Sequence, residues 1–83
     1  MRNFIKNGLI NVRNKNNKTF DFQYERDDGD IISMKGSICD GNASFIIERT
    51  KVDGHKCSAV TVNQMPLTDK LINEIAEIAA EAL

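Results

Sequence analysis

Few side chains in this 83-residue chain can do chemistry: one histidine, His55, two cysteines, Cys39 and Cys57, and twelve carboxylates. His55-Lys56-Cys57 offers two metal ligands close together, whereas a structural zinc site takes four, usually as two close-spaced pairs. The register derived below sends Cys39 to the far end of the sheet, so the sequence predicts two reduced thiols and no metal or other cofactor. No nucleophile has an evident base beside it, and the chain reads as non-enzymatic, with no catalytic residues. The carboxylates are more suggestive. Asp27, Asp28 and Asp30 crowd one turn, while Glu74, Glu77 and Glu81 recur at i, i+3 and i+7 on the outward stripe of a predicted helix. Asp27-Asp28-Gly29-Asp30 lacks the ligand spacing of a calcium loop. These acids are read as surfaces presented to a basic partner.

The formal charge is −1, but it is a cancellation. Residues 1–18 carry Arg2, Lys6, Arg13, Lys15 and Lys18 without an acid, giving +5, and residues 19–48 give −5. Residues 49–66 add +2 and residues 67–83 add −3. So small a net charge excludes a general polyanion binder and leaves room for a charge-steered partner. The alternative reading places nucleic-acid contacts on Arg2, Lys6, Arg13, Lys15 and Lys18. Phe4 is then the one aromatic left outside the predicted core to stack on a base.

Hydrophobic content of 41% with 28% charged residues describes an ordinary globular chain rather than a disordered one. The length allows one domain, residues 1–83. No apolar run approaches the roughly 18 residues of a membrane span and no signal-peptide core follows Met1, so the expected location is the cytoplasm.

Punctuation gives the elements. Asp28-Gly29, Asp40-Gly41 and Asp53-Gly54 lie 12 and 13 residues apart, between segments of alternating or β-branched residues. Asp-Gly supplies the positive φ of tight hairpin turns. Asn14-Lys15-Asn16-Asn17-Lys18 lies one spacing further back, and asparagine tolerates the same conformation. Four turns predict five strands, at 4–14, 18–26, 30–39, 42–52 and 55–63, in an antiparallel meander.

Turn lengths fix the register, because one face must collect the apolar residues. A three-residue loop at Asp27–Gly29 pairs Tyr24 with Ile32 and Phe22 with Met34. Two-residue loops at Asp40-Gly41 and Asp53-Gly54 pair Gly36 with Phe45, Met34 with Ile47, and Ile47 with Val60. A three-residue loop at Lys15–Asn17 would pair Val12 with Phe20 and set Gly8 opposite Tyr24. Ile10, Val12, Phe20, Phe22, Tyr24, Ile32, Met34, Ile38, Phe45, Ile47, Val60 and Val62 then share the inner face. After Pro66 the period becomes helical, with Leu67, Leu71, Ile75, Ile78, Ala79 and Ala82 on one stripe and Thr68 as N-cap. The predicted fold is α+β: a five-stranded meander with one C-terminal helix, 68–82, on its inner face. The outer face keeps an apolar spot of Leu9, Ile31 and Ile46 beside Lys35, a surface for a partner or for a dimer mate. An edge strand is a second route to a homodimer.

In size, asparagine content (Asn3, Asn7, Asn11, Asn14, Asn16, Asn17), acidic patches and lack of catalytic residues, the chain resembles small accessory proteins of phages and mobile elements, such as anti-CRISPR proteins. That resemblance implies a non-enzymatic protein-binding module. It would inhibit or modulate a larger, nucleic-acid-handling machine by occupying one of its surfaces.

Overall fold

A computed structural model describes residues 2–15 and 17–83, without the side chains of Arg2 and Ala82. It has two helical elements around one sheet: α1 (Arg2–Asn14), then β1 (Lys18–Glu25), β2 (Ile31–Cys39), β3 (Asn42–Thr50) and β4 (Lys56–Pro66), then α2 (Asp69–Glu77) running on into a π-helical turn (Ile78–Ala82). The four strands form an antiparallel sheet in the order β1-β2-β3-β4. The class is α+β, but the expectation of five strands and one helix is overturned. The segment predicted as a first strand is α1.

The reason lies in its apolar spacing. Ile5, Leu9 and Val12 stand at i, i+4 and i+7, and as a helix they form one stripe whose first two members are completely buried. As a strand, the same segment would have turned Ile5 and Leu9 to the solvent face. Arg13 in the last turn suits the negative end of the helix. The Asn-rich segment after α1 is a helix-to-strand connection, not a hairpin turn, and Asn16 lies outside the described residues.

For β1 through β3 the register follows the turn chemistry. Tyr24 pairs with Ile32, Phe22 with Met34, Gly36 with Phe45 and Met34 with Ile47. Gly29 takes φ +86°, and Asp40 and Gly41 take +52° and +81°, the left-handed pair of a type I′ turn. The third hairpin departs from the two-residue loop expected. Lys51 N donates to His55 O at 2.8 Å, closing a three-residue loop at Val52–Gly54. A register shift beside Arg49 and Thr50 then restores the pairing of Ile47 with Val60.

Both helices cover the inner face. Ile5 and Leu9 join Ile32, Met34, Ile38, Phe45, Ile47, Val62, Ile72, Ile75, Ala76 and Ala79 in one core. The Thr68 hydroxyl accepts from Leu71 N at 3.2 Å, the N-cap expected from sequence. Arg13 Nη1 reaches Asp69 Oδ1 at 2.7 Å and Leu67 O at 3.1 Å, tying the end of α1 to the start of α2. No helix among the described residues is long and apolar enough to cross a membrane.

Candidate functional site

A cleft of about 540 Å³ lies between α1 and β1, lined by Phe4, Asn7, Gly8, Asn11 and Val12 of α1, by Lys15 just after it, and by Lys18, Thr19, Phe20 and Phe22 of β1. The helical residues recur every three or four positions, so they form one stripe along α1. Gly8 brings the helix close to the strand, since a Cβ there would stand 3.0 Å from Phe22 Cζ. Phe4 is 52% exposed, with its ring centroid 6.4 Å from that of Phe22 and 5.6 Å from that of Tyr24. Phe20 extends the row, 6.2 Å from Phe22. The Tyr24 hydroxyl is buried without a hydrogen-bond partner, and desolvation pushes its pKa up to about 12 despite the nearby Arg26 charge.

Beside this cleft runs an open sheet edge. Among the described residues β1 pairs only with β2. Arg26 N donates to Asp30 O at 2.8 Å, so that row is a hydrogen-bonded pair. Antiparallel ladders alternate, and the hydrogen-bonded rows further along are Tyr24 with Ile32, Phe22 with Met34 and Phe20 with Gly36. The amides and carbonyls of Thr19, Asp21, Gln23 and Glu25 therefore face away from the sheet. An added strand would lie there and turn alternate side chains toward the cleft.

Most of the site residues expected from sequence lie elsewhere. Lys15 and Lys18 are exposed at the cleft rim, Lys6 is half-buried, and Arg13 is engaged by Asp69. The side chain of Arg2 lies outside the described residues. Leu9 is a correction: it belongs to the core under α1, not to the outer sheet face. Ile31 and Ile46 do lie half-buried on that face, with Ile46 between Lys35 and Thr61. Glu48, on the same face, pairs with Lys56 at 3.1 Å.

The acidic turn is largely used internally. Asp30 is 6% exposed and accepts from Arg49 Nε at 2.6 Å, while Arg49 Nη1 donates to Leu83 O at 3.0 Å. Arg26 donates to Asp28 Oδ2 at 2.6 Å and to Leu83 O at 3.3 Å. Burial of Asp30 with Arg49 makes it a strut between hairpin and sheet rather than a presented charge. Asp27 and Asp28 remain exposed and share a shallow hollow with Arg26, Ala80 and Glu81, so the turn and the π-helical segment meet. Glu74 and Glu77 are exposed on α2.

The hydrogen bond from Arg26 holds the Asp28 carboxyl down at about 2, with help from the Asp30 amide. A carboxylate depressed below its ordinary 3.8 adds stability that is complete above that value and lost as pH falls toward 2. Acid unfolding followed by circular dichroism should therefore show a shallower loss between pH 4 and 2 in Asp28→Asn than in the parent. Equal slopes would remove Asp28 from the acid transition.

Cys39 and Cys57 are free and exposed near opposite ends of the sheet. Among the described residues, no three His, Cys, Asp or Glu side chains gather closely enough to hold a metal ion. No family model, curated protein or solved structure matches the chain. The strand-like alternation of Ile10 and Val12 hides the cleft at the level of sequence. The helical spacing of Phe4, Asn7, Gly8, Asn11 and Lys15 was the available signal.

Proposed function

We propose that the chain is a protein-interaction module that takes an extended segment along the free edge of β1, with alternate side chains of that segment seated in the α1–β1 cleft. One observation carries the reading: an unpaired strand edge runs beside an aromatic-lined cleft. Strand addition derives affinity from main-chain hydrogen bonds and selectivity from pockets for every second side chain. Lys15 and Lys18 at the rim favour a segment that carries acidic residues. Under this reading, the modulation of a larger protein implied by the sequence resemblance would proceed by capture of one of its strands or tails.

Gln23→Pro tests the reading directly. The Gln23 amide faces away from β2, so proline removes an edge donor while the β1–β2 ladder keeps its bonds. Peptides selected from a random display library on the immobilised chain should alternate apolar with acidic or polar residues. They should lose about tenfold or more in affinity for Q23P, the worth of one or two interfacial hydrogen bonds. Selected peptides that bind Q23P unchanged would overturn the edge as the site.

A second reading, single-stranded nucleic acid in the same cleft, is favoured by Phe4, Phe20 and Phe22 lying beside Lys15 and Lys18. Steeply salt-dependent binding of a labelled oligonucleotide, lost on Lys15→Ala with Lys18→Ala, would support it. No binding at low salt would remove it.

A further inference from the structure

We infer that the strand received at the β1 edge is β1 of a second copy of this chain, giving a two-fold symmetric dimer with one continuous eight-stranded sheet. The inference rests on the reading of the β1 edge as an interaction surface and names its occupant. Three independent features point to self-pairing: the strand's own cross-strand chemistry, the charge blocks at its two ends, and the neutrality of the adjoining helix stripe.

The outward-facing backbone groups belong to odd-numbered residues, so antiparallel self-pairing must match odd with odd and even with even. The two-fold axis then passes through a residue of the strand. With Asp21 on the axis, two like carboxylates stand directly opposite, and with Gln23 on it, Asp21 faces Glu25; both arrangements are destabilising. With Phe22 on the axis, Asp21 faces Gln23, Thr19 faces Glu25 and Phe20 faces Tyr24, with no like charges opposed within the strand and aromatic pairs along the inner face.

The same register places the hairpin after β1, with exposed Asp27, beside Lys15 and Lys18 of the second copy. Two-fold symmetry makes this contact twice, basic end to acidic end. Lys18 also comes opposite Arg26, whose side chain is only 10% exposed and whose charge is already held by Asp28. The α1 residues that would face across the axis, Phe4, Asn7 and Asn11, carry no charge, and Lys15 stands at their outer end. Short amide side chains permit two helices to approach, and Phe4 becomes covered. A long polyanion would instead call for basic residues along that stripe.

The experiment is sedimentation of the purified full chain from micromolar to millimolar concentration, for the parent, Q23P, a Lys15→Glu/Lys18→Glu double variant and Asp27→Lys. The parent is expected to show a concentration-dependent dimer, and Q23P a monomer. Each charge variant alone should weaken dimerisation about tenfold, because both symmetric contacts become repulsive. Mixing the two charge variants in equal amounts should restore dimer to within about threefold of the parent, since the heterodimer has one reversed and one native contact, both attractive. A parent chain monomeric at every concentration, a dimer indifferent to Q23P, or a mixture no better than its components would overturn the inference. A monomeric parent that still binds selected peptides through the β1 edge would defeat self-pairing alone and leave the strand-capture reading standing. Should Q23P fail to fold, the mixing result decides by itself.

Discussion

Gly36→Ala should lose about 3 kcal/mol or more of folding stability, at the upper end of what overpacking costs. Gly36 sits in β2, opposite Phe45 on β3 and Phe20 on β1. A Cβ added there would run into the Ser44 main-chain oxygen and the Cα and Cβ of Phe45. None of these is the movable end of a side chain. Relief would require parting two central strands of a four-stranded sheet, so little relaxation is open to the mutant. The entropic gain from removing a glycine, at most about 1 kcal/mol, does not offset this. At about 4–8 °C per kcal/mol for a domain of this size, the thermal midpoint should fall by about 12–24 °C. Gly41→Ala is the contrast: nothing lies within 4 Å of its added Cβ, and only the positive φ of +81° opposes it. That should cost about 1 kcal/mol. Thermal unfolding and urea titration of both variants check the pair of values. A G36A midpoint equal to the parent's would mean that the close approach of β2 and β3 at Phe45 is mistaken.

The second large effect is expected at Arg49. Its guanidinium holds Asp30 at 2.6 Å and Leu83 O at 3.0 Å, and Asp30 has few other recourses. Arg26 Nη2 is 4.0 Å from the same carboxylate and is committed to Asp28. Arg49→Met keeps the aliphatic packing and strands a carboxylate whose side chain is 9% exposed. Removing one partner of a buried pair costs about 3–5 kcal/mol, and partial exposure of Arg49 places this case near 3. Removing both charges, in Arg49→Met with Asp30→Leu, should cost less than Arg49→Met alone, because no orphaned charge remains. A double-mutant cycle in urea measures the coupling, expected at about 2 kcal/mol. Additivity of the two changes would show that Asp30 finds water or Arg26 instead.

These two sites also show how unevenly the sequence disclosed the molecule. Gly36 was legible because the Asp40-Gly41 turn fixes its own hairpin, and the pairing of Gly36 with Phe45 follows from counting back from Gly41. Turn chemistry is local and survives folding. The Arg49–Asp30 strut was invisible, since it joins residues 19 apart through side-chain geometry that no periodicity encodes. α1 was misread for a different reason. Ile10 and Val12 alternate like a strand and Gly8 weakens a helix, while Ile5, Leu9 and Val12 carry the helical stripe. Three regular turns downstream invited a fourth, and tertiary burial of Ile5 and Leu9 overrode that rhythm. A strand in place of α1 puts Phe20 and Phe22 wholly in the core and leaves no cleft for them to line. The acidic turn is plain in the sequence, but the commitments of Asp28 to Arg26 and of Asp30 to Arg49 depend on distance alone.

The tie between Arg13 and Asp69 spans 56 positions of sequence, whereas every strand pairing in the sheet is between neighbours along the chain. Contacts of such different span form on different timescales, because closing a long loop costs more entropy than closing a turn. The three hairpins can zip early, each nucleated by its own turn. Until α2 arrives, α1 has no helical companion, and the inner face of the meander keeps part of its apolar surface wet. Refolding should therefore have a transition state rich in hairpin and poor in helix pairing. Substitutions at Ile5 or Ile75 would then act chiefly on the unfolding rate, and substitutions in the turn at Asp40-Gly41 on the folding rate.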